Sequence, residues 1–60
     1  MTMKRYVRDT IREEYLKIMI KAFERGDDRP ETADLYRKVK RAPKELVVGY
    51  RHHLQWLGLL

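Results

Sequence analysis

Two breaks divide this sequence into three segments, each with the apolar spacing of a helix. The first break is Gly26 with residues 27–30, because glycine ends helices in a left-handed conformation and proline suits the next start. The second is Ala42-Pro43, since the residue before proline avoids helical backbone angles. Gly58 is the predicted stop of the last helix. The sequence therefore predicts an all-α domain of three helices.

The first helix carries an unusually wide apolar surface. One stripe recurs every three or four residues, as on a single helix face: Val7, Ile11, Tyr15, Ile18 and Ala22. Thr10 and Glu13 fit a capping box, so the helix is expected to begin at Thr10 or to run from residue 4. A second flank, roughly 100–140° away, comprises Leu16, Ile20 and Phe23. This flank predicts a homodimer interface, unless the two shorter helices wrap around the first.

The second and third helices have narrower apolar sides. Thr32 is the predicted N-cap of the second helix, whose apolar side is Leu35, Tyr36 and Val39. Pro43 suits the first turn of the third helix. The predicted core stripe of the third helix is Leu46, Tyr50, Leu54 and Leu57. Gly49 lies at the edge of this stripe and is expected to admit a close approach by another helix.

Length and composition restrict the class of protein. With 60 residues, we expect one domain over 1–60 with a small core, in which residues 1–9 form a basic arm or a helix extension. The chain lacks cysteine, which excludes disulfides and Cys-based zinc sites. No apolar run approaches about 18 residues and no signal-peptide pattern opens the chain, so a cytoplasmic protein is expected. Serine and asparagine are absent, which suggests a thermophilic source.

Catalytic and cofactor chemistry have little support in the sequence. There is neither a serine or cysteine nucleophile nor a glycine-rich phosphate loop. Asp27-Asp28 is expected in a solvated loop. His52-His53 would point apart on a helix, so no metal site is expected, with His53 half-buried near the core stripe and His52 exposed. The sequence thus predicts neither an enzyme nor a cofactor or metal site.

Charge gives the strongest functional signal. The formal net charge is +5 and the pI is about 9.8, which predicts attraction to an anionic partner. The charge is also polarised. Residues 1–12 hold four bases and one acid, residues 13–34 four bases and seven acids, and residues 35–60 six bases and one acid. The partner is therefore expected to meet the ends of the chain, and either nucleic acid or an acidic protein surface would fit.

Five bases lie within eight residues across the second break, with no acid among them. They are Arg37, Lys38, Lys40, Arg41 and Lys44. We expect the first four to hold phosphates. The outer face of the third helix is expected to meet the major groove of DNA with cations and hydrogen-bonding groups. Its residues are Lys44, Val48, Arg51, His52 and Gln55.

Residues 15–59 resemble winged-helix and related helix-turn-helix DNA-binding domains, in a wingless form. Residues 32–39 are similar to the second helix of such domains, and residues 43–57 are similar to the recognition helix. Ala42 stands where that family usually has a serine or threonine cap. The resemblance implies sequence-dependent binding of double-stranded DNA by a small transcriptional regulator or chromatin-type protein. A nucleoid-associated location would follow.

A second resemblance implies a different role. Leu35-Tyr36-Arg37 is similar to the tripeptide of the small, basic, helical LYR-motif proteins, which bind assembly partners and acyl carrier protein. Residues 6–15 also resemble a segment of that family, although they precede the tripeptide here and follow it there. The alternative function is therefore a helical interaction or assembly module whose basic face binds an acidic partner protein.

Overall fold

A computed structural model describes residues 9–60. Two helices are followed by a broken third one, which we call the C-terminal helix and which contains a 3₁₀ turn. The elements are α1 (Thr10–Glu24), α2 (Pro30–Arg41), α3 (Lys44–Val47), the 3₁₀ turn (Val48–Tyr50) and α4 (Arg51–Trp56). Residues 9–60 contain no strand. The predicted all-α, three-helix fold is confirmed.

The predicted glycine stops at the C-terminal ends of the helices are observed, whereas the predicted threonine caps at the N-terminal ends are not. Gly26 and Gly58 have positive φ angles of 99° and 78°, as predicted for left-handed helix stops. The α1 helix begins at Thr10, but its N-cap is Asp9, whose Oδ1 accepts a hydrogen bond from the Arg12 backbone N at 3.1 Å. The predicted Thr10 capping box is wrong, because the Asp9 carboxylate already takes that role. The remainder of the predicted arm, residues 1–8, lies outside the described residues.

The core forms where all three helices meet. Its buried members are Tyr15, Met19, Leu35, Val39, Ala42, Val47, Leu54 and Leu57. Met19, Val39 and Leu54 are fully buried, whereas Ile11 of the predicted stripe is exposed. The buried side of α1 is thus centred on Met19 and does not include Ile11. This is the side of α1 that packs against both α2 and α3.

The C-terminal helix differs from prediction in its register. Val47 is buried, whereas Leu46, assigned to the core by its spacing, is 57% exposed. A 3₁₀ turn advances about 120° per residue instead of about 100°, so the three residues of this turn add about 60° of rotation. The extra rotation moves Leu46 from about 80° to about 140° away from Leu54, whereas Val47 stays within about 40° of it. The expected close approach at Gly49 is also wrong, since no atom of another described helix lies within 4 Å of the position a Cβ would take there.

A hydrogen-bonded cluster fixes the loop between α1 and α2. Asp27 accepts hydrogen bonds from the backbone N, Nε and Nη2 of Arg29 and from Thr32 Oγ1, all within 2.9–3.0 Å. Arg29 Nη2 also donates to the Leu57 carbonyl at 3.0 Å, which ties the loop to the end of the C-terminal helix. Thr32 is buried inside α2, so its predicted N-cap role is wrong. The expected solvated loop holds only for exposed Asp28.

This cluster predicts a stability that depends on pH. The hydrogen bonds from Arg29 hold the pKa of Asp27 well below its usual range. A lowered folded-state pKa adds stability that is fully present above the ordinary aspartate pKa of about 3.9 and is lost as pH falls toward the folded value. Asp27→Asn should therefore lower the thermal midpoint at pH 7, and the difference from wild type should shrink below about pH 4. A difference that is constant from pH 7 to pH 2, or equal for Asp28→Asn, would contradict this role.

Arg12 sets the position of the C-terminal end of α2. Its Nη1 donates to the carbonyls of Val39 at 2.7 Å and Lys40 at 3.1 Å, and its Nε pairs with Asp9 Oδ2 at 2.9 Å. Carbonyls at a helix end lack partners within the helix, so a guanidinium satisfies them. Arg12 thereby joins the start of α1 to the basic end of α2.

Candidate nucleic-acid interface

All nine residues predicted to bind nucleic acid are exposed. They lie on α2 and the C-terminal helix: Arg37, Lys38, Lys40, Arg41, Lys44, Val48, Arg51, His52 and Gln55. The short connection through Ala42 and Pro43 holds the two helices next to each other, with Ala42 buried in the core. The nine side chains differ in their ion pairs and in the side of the helix on which they lie.

Asp34 neutralises part of the basic charge on α2. Its carboxylate lies 3.1 Å from Lys38 Nζ and 3.7 Å from Arg37 Nη2. These are the i,i+4 and i,i+3 contacts of a helix surface. The sequence places Asp34 outside the basic cluster, although its spacing to Lys38 could have revealed the pairing. Arg37 and Lys38 are therefore weaker attractors of phosphate than their number suggests.

A shallow depression of about 360 Å³ lies between the basic end of α2 and the C-terminal helix. Its lining residues are Asp34, Arg37, Lys38, Arg41, Ala42 and Tyr50. Lys40 lies elsewhere, with its Nζ 6.0 Å from the centre of the Tyr36 ring. At about 100° per residue, Lys38 and Lys40 are on opposite flanks of α2. The structure thus gathers three of the four predicted phosphate contacts beside the C-terminal helix and separates Lys40 from them.

The outer face of the C-terminal helix is twisted by its 3₁₀ turn. On a straight helix the five predicted residues would span an arc of about 100°, and the extra rotation widens it to about 140°. His52 is turned farthest from Lys44. Its ring centre is 4.3 Å from that of His53, which is 5.3 Å from Tyr50. Both histidines are exposed, so the half-buried position predicted for His53 is wrong.

Three cations on α2 and the C-terminal helix are exposed and form no ion pair within residues 9–60: Arg41, Lys44 and Arg51. Arg41 is the last residue of α2, where a cation is favourable beside the negative end of the helix dipole. Lys44 has no such reason, because it opens α3 at the positive end of a dipole. Lys44 therefore gains nothing from the helix dipole.

Other kinds of site find less support in the described residues. No group of three or more histidine, aspartate or glutamate side chains in residues 9–60 could hold a metal ion. None of the described helices combines the length and apolar character needed to cross a membrane. Trp56, which the sequence analysis did not single out, is 76% exposed on α4. Its place between the core positions Leu54 and Leu57 is the signal that could have revealed this exposure.

The predicted dimer flank is partly used within the monomer. Leu16 and Phe23 pack against the core, and the Phe23 ring meets Tyr36 edge-to-face at 5.6 Å. Ile20 remains 40% exposed. The other helices therefore cover part of the predicted flank, and Ile20 stays exposed.

Comparisons with known proteins give no match: no family model, no curated protein and no solved structure matches this chain. Function must therefore be inferred from the chemistry of the exposed surface.

Proposed function

We propose that this chain binds double-stranded DNA through α2, the Ala42-Pro43 turn and the C-terminal helix. The observation that carries the proposal is the exposure of three cations that form no ion pair within residues 9–60: Arg41, Lys44 and Arg51. Unpaired cations gain most from phosphate, because no internal ion pair must first be broken. Together with Arg37 and Lys38 they form what we call the basic face.

In this proposal the two helices have different tasks. Arg37, Lys38 and Arg41 hold phosphates beside the depression on α2, which fixes the orientation of the domain. The C-terminal helix then enters the major groove, where Arg51 suits a guanine edge and Gln55 an adenine edge. Arg37, Lys38, Arg41 and Lys44 together make four phosphate contacts, which would give a log–log salt slope of about −3.6. A salt titration of duplex binding tests the proposal, and no binding at low salt would overturn it.

Arg51→Ala tests whether the C-terminal helix reads sequence. On a duplex enriched by selection from random DNA, we expect a loss of about 1–3 kcal/mol if Arg51 contacts a guanine edge. The loss on unrelated duplexes should be much smaller, and the thermal midpoint should barely change because Arg51 is exposed. Selection that enriches no sequence, or equal weakening on every duplex, would reduce the proposal to non-specific DNA coating.

We also propose that the chain forms a homodimer through α1. Exposed Ile20, with Leu16 and Phe23 beside it, supplies the apolar contact. A dimer would present two C-terminal helices to neighbouring half-sites. The thermal midpoint should rise with protein concentration, since association stabilises the folded chain. Sedimentation of a monomer at hundreds of micromolar would contradict the dimer.

A second candidate function is binding of an acidic protein by the same basic face. Leu46, which is 57% exposed and is not among the predicted DNA contacts, favours it, because a protein partner could bury this apolar side chain. In this case Arg51→Ala would leave DNA binding unchanged and abolish binding to the acidic protein.

A further inference from the structure

A second cleft, of about 170 Å³, lies between the N-terminal half of α2 and α4. Its floor is apolar and consists of Leu35 and Leu57, which are 4% and 7% exposed. Its rim carries Glu31, Asp34, His53 and Trp56. Small-molecule sites usually enclose roughly 300–1,000 Å³, so this cleft has room for about one side chain.

Trp56 is the most exposed large apolar residue of the described chain. It is 76% exposed, and no ring contact or hydrogen bond engages its indole within residues 9–60. A tryptophan face attracts cations strongly, and tryptophan is enriched among the residues that dominate binding interfaces. The indole at the rim is therefore free to stack against an incoming group.

The charged residues of the cleft determine whether an incoming group should be cationic or anionic. Glu31 is exposed and forms no ion pair within residues 9–60. It interacts electrostatically with Arg29, but the Arg29 guanidinium is already paired with Asp27. The other carboxylate, Asp34, is occupied by Lys38 at 3.1 Å. Lys38 is the one cationic side chain that lines the cleft, so Glu31 leaves it with a negative excess on a chain of net charge +5. This excess repels phosphate and attracts a cation.

We propose that this cleft binds an arginine side chain on a peptide segment of a partner protein. A guanidinium is planar, so it stacks on the Trp56 indole while it pairs with the Glu31 carboxylate. The aliphatic stem of the arginine covers the Leu35–Leu57 floor. Lysine fits less well, because its ammonium neither stacks nor binds a carboxylate in a bidentate manner. This site differs from the basic face in net charge, although Asp34 and Lys38 line both the cleft and the depression on α2.

Fluorescence of Trp56, the single tryptophan of the chain, tests the proposal without DNA. The probe is acetyl-Gly-Arg-Gly-amide, and its control carries citrulline, which keeps the shape of arginine but lacks the charge. We expect a saturable change with the arginine peptide, with a Kd in the millimolar range, and none with citrulline. Glu31→Gln should weaken binding by at least about fivefold. Glu45→Gln, at an exposed acid outside the cleft, should leave it unchanged.

Three outcomes would overturn the proposal. The first is a linear change that is the same for arginine and citrulline. The second is equal binding by Glu31→Gln and Glu45→Gln variants with unchanged thermal midpoints. The third is a fluorescence change on raising wild-type concentration alone that Glu31→Gln abolishes, because a second copy of the chain would then be the occupant. None of these results depends on whether the basic face binds DNA.

Discussion

Leu54→Ala should lower the free energy of unfolding by about 2–5 kcal/mol, as expected for a cavity at a fully buried leucine. Leu54 has 0% exposure at the meeting point of the three helices. A 60-residue domain has a total stability of roughly 3–9 kcal/mol. The substitution should therefore leave much of the chain unfolded at moderate temperature, and urea unfolding followed by circular dichroism would measure it.

Leu46→Ala is the matched control on the same helix. Leu46 is 57% exposed, so its replacement should change the free energy of unfolding by no more than about 0.5 kcal/mol. The pair also tests the 3₁₀ turn, since an unbroken helix would place Leu46 in the core stripe with Leu54. A loss at Leu46 as large as the loss at Leu54 would contradict the observed register.

The comparison of these two leucines shows which parts of the fold can be read from sequence. Gly26, Gly58 and Pro43 act through their own backbone restrictions, so local sequence is enough to place the helix boundaries near them. The side of the C-terminal helix that enters the core depends on a turn of three residues at Val48–Tyr50. No residue there demands that turn by itself, and packing across the core decides it.

The candidate site, too, could be predicted only in part from the sequence. Charge composition was enough to predict that the basic residues would be exposed. The pairing of Asp34 with Lys38 and the displacement of Lys40 toward Tyr36 depend on helix phase and on which neighbour each flank meets. Thr32 is a similar case, because a residue suited to capping is instead drawn into the core by the Asp27–Arg29 cluster.

The double replacement Arg41→Gln/Lys44→Gln should produce the largest loss of DNA binding. If each cation neutralises one phosphate, the log–log salt slope should fall in magnitude by about 1.8, which corresponds to about 60-fold weaker binding at 0.1 M salt. Both side chains are exposed and unpaired within residues 9–60, so the fold should be kept. The control is Lys21→Gln/Arg25→Gln, which removes one lysine and one arginine from exposed positions at the end of α1.

The salt dependence of duplex binding by wild type and these two double variants tests the DNA proposal most directly. All three proteins can be titrated on one duplex from 20 mM to 200 mM salt, a range chosen because phosphate contacts weaken steeply across it. The proposal predicts a wild-type slope of about −3.6, a slope of about −1.8 for Arg41→Gln/Lys44→Gln, and a slope within about 0.5 of wild type for Lys21→Gln/Arg25→Gln. Equal slopes for the two double variants, which carry the same net charge, would contradict it and show that DNA senses only the total charge of the chain.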